Sequence, residues 1–326
     1  MCATPCCVAW RDAFPGTLKV TANGVTAVNQ PIVLDLDGSI GAVDNALRLD
    51  LRDWQARVRF GCRVSTLDAF GRDVVARLPV NHGPVLMGSG DFHHLSWPLI
   101  ARQTSRTRGV RVVVFDNHPD NMRYLFGIHC GSWVRRVALL PQVSHVHVVG
   151  ITSPDIGRGH AWENYLTPLR SGKLSYWSLG VDTGWARWLG VQSAFRNFAD
   201  ADTLADTLSE LLIREQHPTY LSIDKDVFSP SVVRTNWDQG VMLEHHVMQA
   251  IEALKGQLLG SDITGDVSVY RHPSAWKRWL SAGDGQTLEI PDLTLQSWQV
   301  EQHVLNQRLV SRLNTAQGYE RVMRSA

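Results

Sequence analysis

The chain has 326 residues, room for one large α/β domain or two small ones, and 44% of them are hydrophobic. With 32 basic against 31 acidic residues the formal net charge is +1, which gives no electrostatic footprint for nucleic acid or an anionic membrane surface. Five cysteines in a chain this long make no disulfide framework, and there is neither a secretory leader nor a run of about 18 apolar residues, so the chain reads as cytoplasmic.

Cys2, Cys6 and Cys7 crowd the start, where a metal site would lack an evident fourth ligand; Cys62 and Cys130 read as reduced thiols. Pro31 to Ser39 reads as a strand closed by an Asp-Gly turn. The same stretch resembles the nucleophile motif of haloacid-dehalogenase-type phosphatases, with Asp35 as nucleophile and Asp37 as acid/base. Such enzymes also need a later lysine and a carboxylate pair, of which Gly265-Asp266 is a fragment. Residues 65 to 77 place Leu67, Phe70 and Val74 at helical spacing behind Ser65 or Thr66 as N-cap. A short strand over 85 to 87 precedes a helix from Trp97 to Arg108, stopped by Gly109, and then a strand over 110 to 115. Strand, helix, strand in that order predicts parallel strands joined by a right-handed crossover.

Further along, the spacing predicts a helix from Ser132 to Leu140, a strand from Val143 to Ile151 with His145 and His147 on its polar face, and a short helix over 161 to 170. A strand over 174 to 179 and a helix over 200 to 215 follow, then a strand from Tyr220, a helix from Gly240 to Lys255, and a strand from Leu258 to Thr264. The tail from Leu295 to Arg324 reads as a helix packed through Trp298, Val304, Leu305 and Leu309. Strands alternate with helices, without repeats or linkers, so residues 1–326 read as one domain: a doubly covered, mostly parallel sheet.

Three strand ends carry the chemistry. Val112 to Phe115 is an apolar strand running into Asp116-Asn117-His118-Pro119-Asp120, and period two puts Asp116, His118 and Asp120 on one side. Tyr220 to Ile223 runs in the same way into Asp224-Lys225-Asp226, and Val85 to Met87 into Gly88-Ser89-Gly90-Asp91-Phe92-His93-His94. Ligands bind outside the carboxyl ends of such strands, and that many like charges can share a site only around a cation.

These motifs, in this order, resemble those of the ureohydrolases (arginase, agmatinase, formiminoglutamase and guanidinobutyrase types). The resemblance covers roughly residues 30 to 270 and is strong at the motifs. It implies a three-layer α/β/α sandwich of the arginase/deacetylase type and a binuclear centre of two Mn²⁺ per chain. Asp116 and Asp224 would bridge, with His93 and Asp120 completing one shell and His118 and Asp226 the other. A hydroxide held between the ions would attack an sp² carbon bearing nitrogen, with Asp120 receiving its proton and His129 as proton shuttle. The implied activity is C–N hydrolysis of a guanidino, formimino or related amide or amidine compound. The expected partner is thus a small nitrogenous molecule, with homo-oligomerisation left open.

The sequence departs from the family pattern at several places. Phe92 is inserted before His93, leaving His94 as a rival ligand; Asn117 stands for an alanine, and Ser229 for the last aspartate of the third motif. Where the family carries a glutamate for a guanidinium, this chain has Gly265, with Asp266 one step along as the expected substrate contact. A deacetylase-like hydrolase of the same fold, or a metal-holding relative without catalysis, are the alternatives.

Overall fold

A computed structural model describes residues 29–270 and 290–325, leaving Cys2, Cys6 and Cys7 outside the described residues. Nine strands form one sheet in the order β2-β1-β4-β11-β10-β5-β7-β8-β9. They are β1 (Ile32–Asp35), β2 (Leu47–Asp50), β4 (Val85–Leu86), β5 (Val110–Phe115), β7 (Val143–Ile151), β8 (Leu174–Leu179), β9 (Phe195–Phe198), β10 (Thr219–Asp224) and β11 (Leu258–Thr264). Each neighbouring pair is parallel. Two short strands, β3 (Gly61–Cys62) and β6 (Ile128–His129), pair antiparallel outside it.

A parallel sheet needs both faces covered, and the side-chain alternation of β5 shows how this chain covers them. Val112 and Val114 join a core with Phe70, Phe92 and Trp133, under α2 (Val64–Arg77), α3 (Ser96–Gln103) and α4 (Val134–Ala138). Val113 and Phe115 join a second core with Leu204, Leu208, Val247, Leu305 and Leu309, under α6 (Ala201–Arg214), α7 (Glu244–Ala253) and α8 (Asp292–Ser325). The result is the three-layer α/β/α sandwich. Helices α1 (Arg52–Val58) and α5 (Thr167–Arg170) are short additions.

Most expected elements are present, and the differences lie at their ends. Helix α2 begins after Arg63, with no side-chain cap from Ser65 or Thr66. Helix α3 ends at Gln103, so Gly109, at φ +68°, serves the turn into β5 instead of the helix stop. The Gly240–Lys255 expectation shortens to Glu244–Ala253, because Met242 is held in a bridge to Phe228. In α8, Leu305 and Leu309 are buried as expected, while Val304 is 50% exposed and Val310 and Leu313 take its place in the core. Strands β4 and β5 are parallel but not adjacent, since β11 and β10 lie between them.

The phosphatase-like aspartates are structural. Asp35 accepts from the Gly38 amide at 3.1 Å and pairs with Arg48 and Arg52, while buried Asp37 is tied to Arg59 and Ser268. Gly38, at φ +72°, makes the turn that the Asp-Gly reading expected.

Candidate metal centre

Pairing of β5 with β10 sets Ser222 beside Val114 and Ile223 beside Phe115, so the two aspartate motifs leave neighbouring strand ends. The His93 motif arrives from β4 as a buried 3₁₀ turn, Gly90–Leu95. Ligand-capable atoms of His93, Asp116 and Asp120 lie within 4.8 Å of one another, as do those of Asp116, His118 and Asp226. Asp116 belongs to both groups, and Asp224 Oδ2 joins the first at 3.3 Å from His93 Nδ1. His94 is also buried but belongs to neither group.

At His93 the hydrogen bonds fix which imidazole nitrogen faces the carboxylates as a lone pair. Ser222 Oγ donates to Asp262 Oδ1 at 2.6 Å, so it must accept at 3.0 Å from His93 Nε2, which places the ring proton there. The Nδ1 lone pair of a neutral His93 then faces Asp120 Oδ2 at 2.9 Å, Asp116 Oδ2 at 3.1 Å and Asp224 Oδ2 at 3.3 Å. His118 lies between carboxylates at both nitrogens: Nε2 is 2.8 Å from Asp238 Oδ1, while Nδ1 faces Asp226 Oδ2 at 3.0 Å and Asp116 Oδ1 at 3.5 Å. Lone pairs aimed at carboxylates repel, and only a proton or a metal ion between them reverses the sign. Buried Asp116 Oδ2, which has no hydrogen-bond donor, asks for the same thing.

The protonation equilibria reflect this frustration. Burial and the charge of Asp116 push the Asp120 carboxyl up to about 7. Burial and Asp116 do the same to Asp226, also to about 7, and burial with the charge of Asp226 drives Asp224 well above the carboxylate range. Burial would raise Asp116 too, yet His118 and His93 beside it, once protonated, hold it well below the usual value. For both imidazoles burial disfavours the charge, but the surrounding aspartates outweigh it and raise them well above the ordinary histidine value. Without a metal, protons on the rings serve as the cations. The donor set, four hard carboxylates and two imidazoles without cysteine, suits a divalent metal ion.

Several supporting residues carried no motif. Trp133 Nε1 donates to Asp120 Oδ2 at 2.5 Å, and Asp120 holds φ +45°, a left-handed conformation an aspartate adopts at some cost. Ser96 and Tyr220 hold Asp262 from both sides, at 3.1 and 2.8 Å. Ser222 and Asp262 are directly paired across β10 and β11, which needs the sheet order to see. Asp238 lies in the loop after the third motif. Asn117, the departure from alanine, donates to its carboxylate at 3.1 Å while its own amide oxygen takes Thr152 Oγ1 at 2.5 Å.

One expected site residue is placed otherwise, and a second has one ring nitrogen already taken. Asp266 is fully buried and bonded to Lys225 at 2.8 Å and to Asn306 at 2.9 Å, so an ion pair replaces the substrate contact. β11 has ended at Thr264, and Gly265 at φ +92° swings the chain away from the strand path. His129 accepts from the Gly131 amide through Nδ1 at 3.1 Å, its ring packs against Tyr124 and Phe60, and burial pushes it down to about 4. His145 and His147, read as sheet surface, stay outside the ligand groups, although His147 is buried. A third group, Asp202, His245 and His246, is closed to a metal by its tautomer. His246 Nδ1 accepts from the Leu243 amide at 2.9 Å, so Nε2 carries the proton it gives Asp202.

Among known proteins, a match to the arginase family runs over residues 44–265. That is more than half of the chain, and the protein belongs to the arginase family. An uncharacterized protein of Thermotoga maritima is 29% identical over 192 residues, 58% of this chain and 60% of that one, so the match spans less than two thirds of the relative. Formimidoylglutamase from Bacillus subtilis superposes with a TM-score of 0.48 at 16% identity, covering 87% of each chain. Proclavaminate amidino hydrolase from Streptomyces clavuligerus gives 0.46 at 15% identity, over 86% of this chain and 93% of that one. No helix among the described residues is long and apolar enough to cross a membrane.

Proposed function

We propose that this protein is a binuclear, Mn²⁺-dependent hydrolase that cleaves a C–N bond of a small guanidino, formimino or related amide or amidine compound. The observation that carries the reading is the pair of imidazole Nδ1 atoms, His93 and His118, turned onto one group of aspartates that shares Asp116. His93, Asp116, Asp120 and Asp224 would hold one ion, and Asp116, His118, Asp224 and Asp226 the other. Two divalent ions held in this way supply Lewis acidity and a more acidic water at neutral pH.

The chain's own residues do the remaining work. Asp120, whose carboxyl lies near neutrality before any ion binds, is placed to take a proton and hand it to the departing amine, and the Trp133 indole fixes its orientation. Exchange of that proton with solvent is assigned to His129, through Nε2, since Gly131 occupies Nδ1. Burial of the ligands to 5% exposure or less, His118 excepted, keeps bulk water from the reacting carbon. One domain and a cytoplasmic setting belong to the same reading.

Metal analysis of the purified chain should find two Mn²⁺-class ions, and Asp224→Ala should lose both together. Ammonia and urea release over guanidino, formimino and amide compounds then tests turnover. A single ion indifferent to changes at Asp116 and Asp224 would refute the binuclear centre.

A further inference from the structure

Trp237, in the loop between β10 and α7, wedges its indole between the two sides of the metal centre. Its Cδ1 and Nε1 lie over Gly90, where an added Cβ would come within 3.1 and 3.2 Å of them and 3.3 Å of Asp224 Oδ2. The ring stands edge-on to His118 at 6.1 Å between centroids and lies parallel to Phe60 at 6.4 Å. Phe60 in turn lies parallel to His129 at 6.0 Å and holds φ +65°, a conformation that a bulky side chain keeps only when its surroundings impose it. The indole is thus firmly placed, yet its N–H is buried and has no acceptor among the described residues. A buried donor without an acceptor is costly and uncommon. Beside the candidate centre, it marks the place for an acceptor that arrives with the substrate.

The acceptor decides the substrate class. A guanidinium or amidinium presents N–H donors and positive charge, whereas the carbonyl of an amide or urea presents an oxygen with two lone pairs. The nearby acidic groups beyond the proposed ligands already hold cationic or donor partners: Asp238 has His118 and Asn117, Asp262 has Ser222 and Tyr220, and Asp266 has Lys225 and Asn306 on Oδ1, with its charge offset by the lysine although its buried Oδ2 accepts nothing among the described residues. At Gly265 an added Cβ would lie 2.5 Å from Asp224 Oδ1, so no side chain fits there. A cation would meet an N–H donor and two metal ions without a carboxylate to offset its charge.

We infer that the substrate is neutral, a carboxamide or N-substituted urea whose carbonyl oxygen accepts from Trp237 Nε1. This rests on the hydrolase reading above. Water adds to the carbonyl carbon, the C–N bond breaks, and the proton of the water ends on the departing amine, leaving a carboxylic or carbamic acid.

The test uses matched pairs, each a substituted urea and the guanidine with the same substituent, together with the corresponding primary amides, on the full chain loaded with Mn²⁺. Turnover is read as ammonia or amine release and binding by calorimetry. The carbonyl members should bind and turn over in preference to the guanidines. Trp237→Phe, which keeps a ring and deletes the N–H, should keep the metal content while lowering kcat/KM on them by about tenfold or more. Guanidines bound or cleaved as well as their ureas, or a Trp237→Phe loss equal on both members, would overturn the inference. Selective binding of the ureas without cleavage would uphold it and remove the hydrolase reading instead.

Discussion

His118 meets carboxylates at both nitrogens, Nδ1 toward Asp116 and Asp226 and Nε2 toward Asp238. With an ion at Nδ1, Asp238 would take the ring proton's hydrogen bond at Nε2 and make the ring a better ligand, and Asn117 holds Asp238 there. Because Asp238 is 56% exposed, Asp238→Ala should leave the melting temperature near that of the wild type. If the centre is binuclear as proposed, it should weaken the ion bound through His118 by about 10–100-fold, with the ion at His93 unaffected. Calorimetric Mn²⁺ titration separates the two ions. Equal weakening of both, or a fall in Tm, would make Asp238 a structural residue.

At the scale of elements, the end of β11 decides what can stand beside the third motif. Gly265 combines φ +92° with a Cβ position 2.5 Å from Asp224 Oδ1 and 2.7 Å from the Lys225 amide. The second neighbour is backbone and cannot rotate away. Gly265→Ala should therefore cost about 1–3 kcal/mol from the conformation alone. It should also displace Asp224 and release metal. Urea denaturation with metal analysis reads both, and a variant of wild-type stability holding both ions would show that the loop yields. A glutamate at this position would meet the same obstruction, so guanidinium recognition cannot be restored by Gly265→Glu alone. The adjoining Lys225–Asp266 pair, capped by Asn306 from α8, joins this loop to a helix distant in sequence.

For the whole molecule, the pH dependence of stability gathers contributions from histidines buried without charge. His147 in β7 takes hydrogen bonds from Ser175 and Trp177, and burial, aided by His145, Arg111 and Arg196, holds it well below its ordinary value of 6.5. The unfolded chain protonates this ring as pH falls through about 6.5, while the folded chain resists. Its contribution to stability is therefore full above that pH and is lost progressively below it. The stability difference between wild type and His147→Gln should accordingly narrow from pH 7 to pH 5. Urea titrations at the two values check this, and a difference that widens on acidification would reverse the assignment.

The sequence by itself determined the sheet's central strands and the metal motifs. Runs such as Val112 to Phe115 are too apolar for anything but a doubly covered strand, and period two commits Asp116 and His118, or Asp224 and Asp226, to shared sides. Helix ends were less legible, because α2 and α3 stop where packing stops them and carry no side-chain cap. Tertiary structure alone decided the tautomer of His93 and which carboxylates face His118, since Ser222, Asp262 and Asp238 reach them through strand order and a loop. It brought His93, and not His94, into the group of ligand-capable atoms, and it gave Asp266 to Lys225. No periodicity encodes these outcomes, because each depends on side chains brought together across more than one hundred residues of chain or by a turn that glycine alone can make.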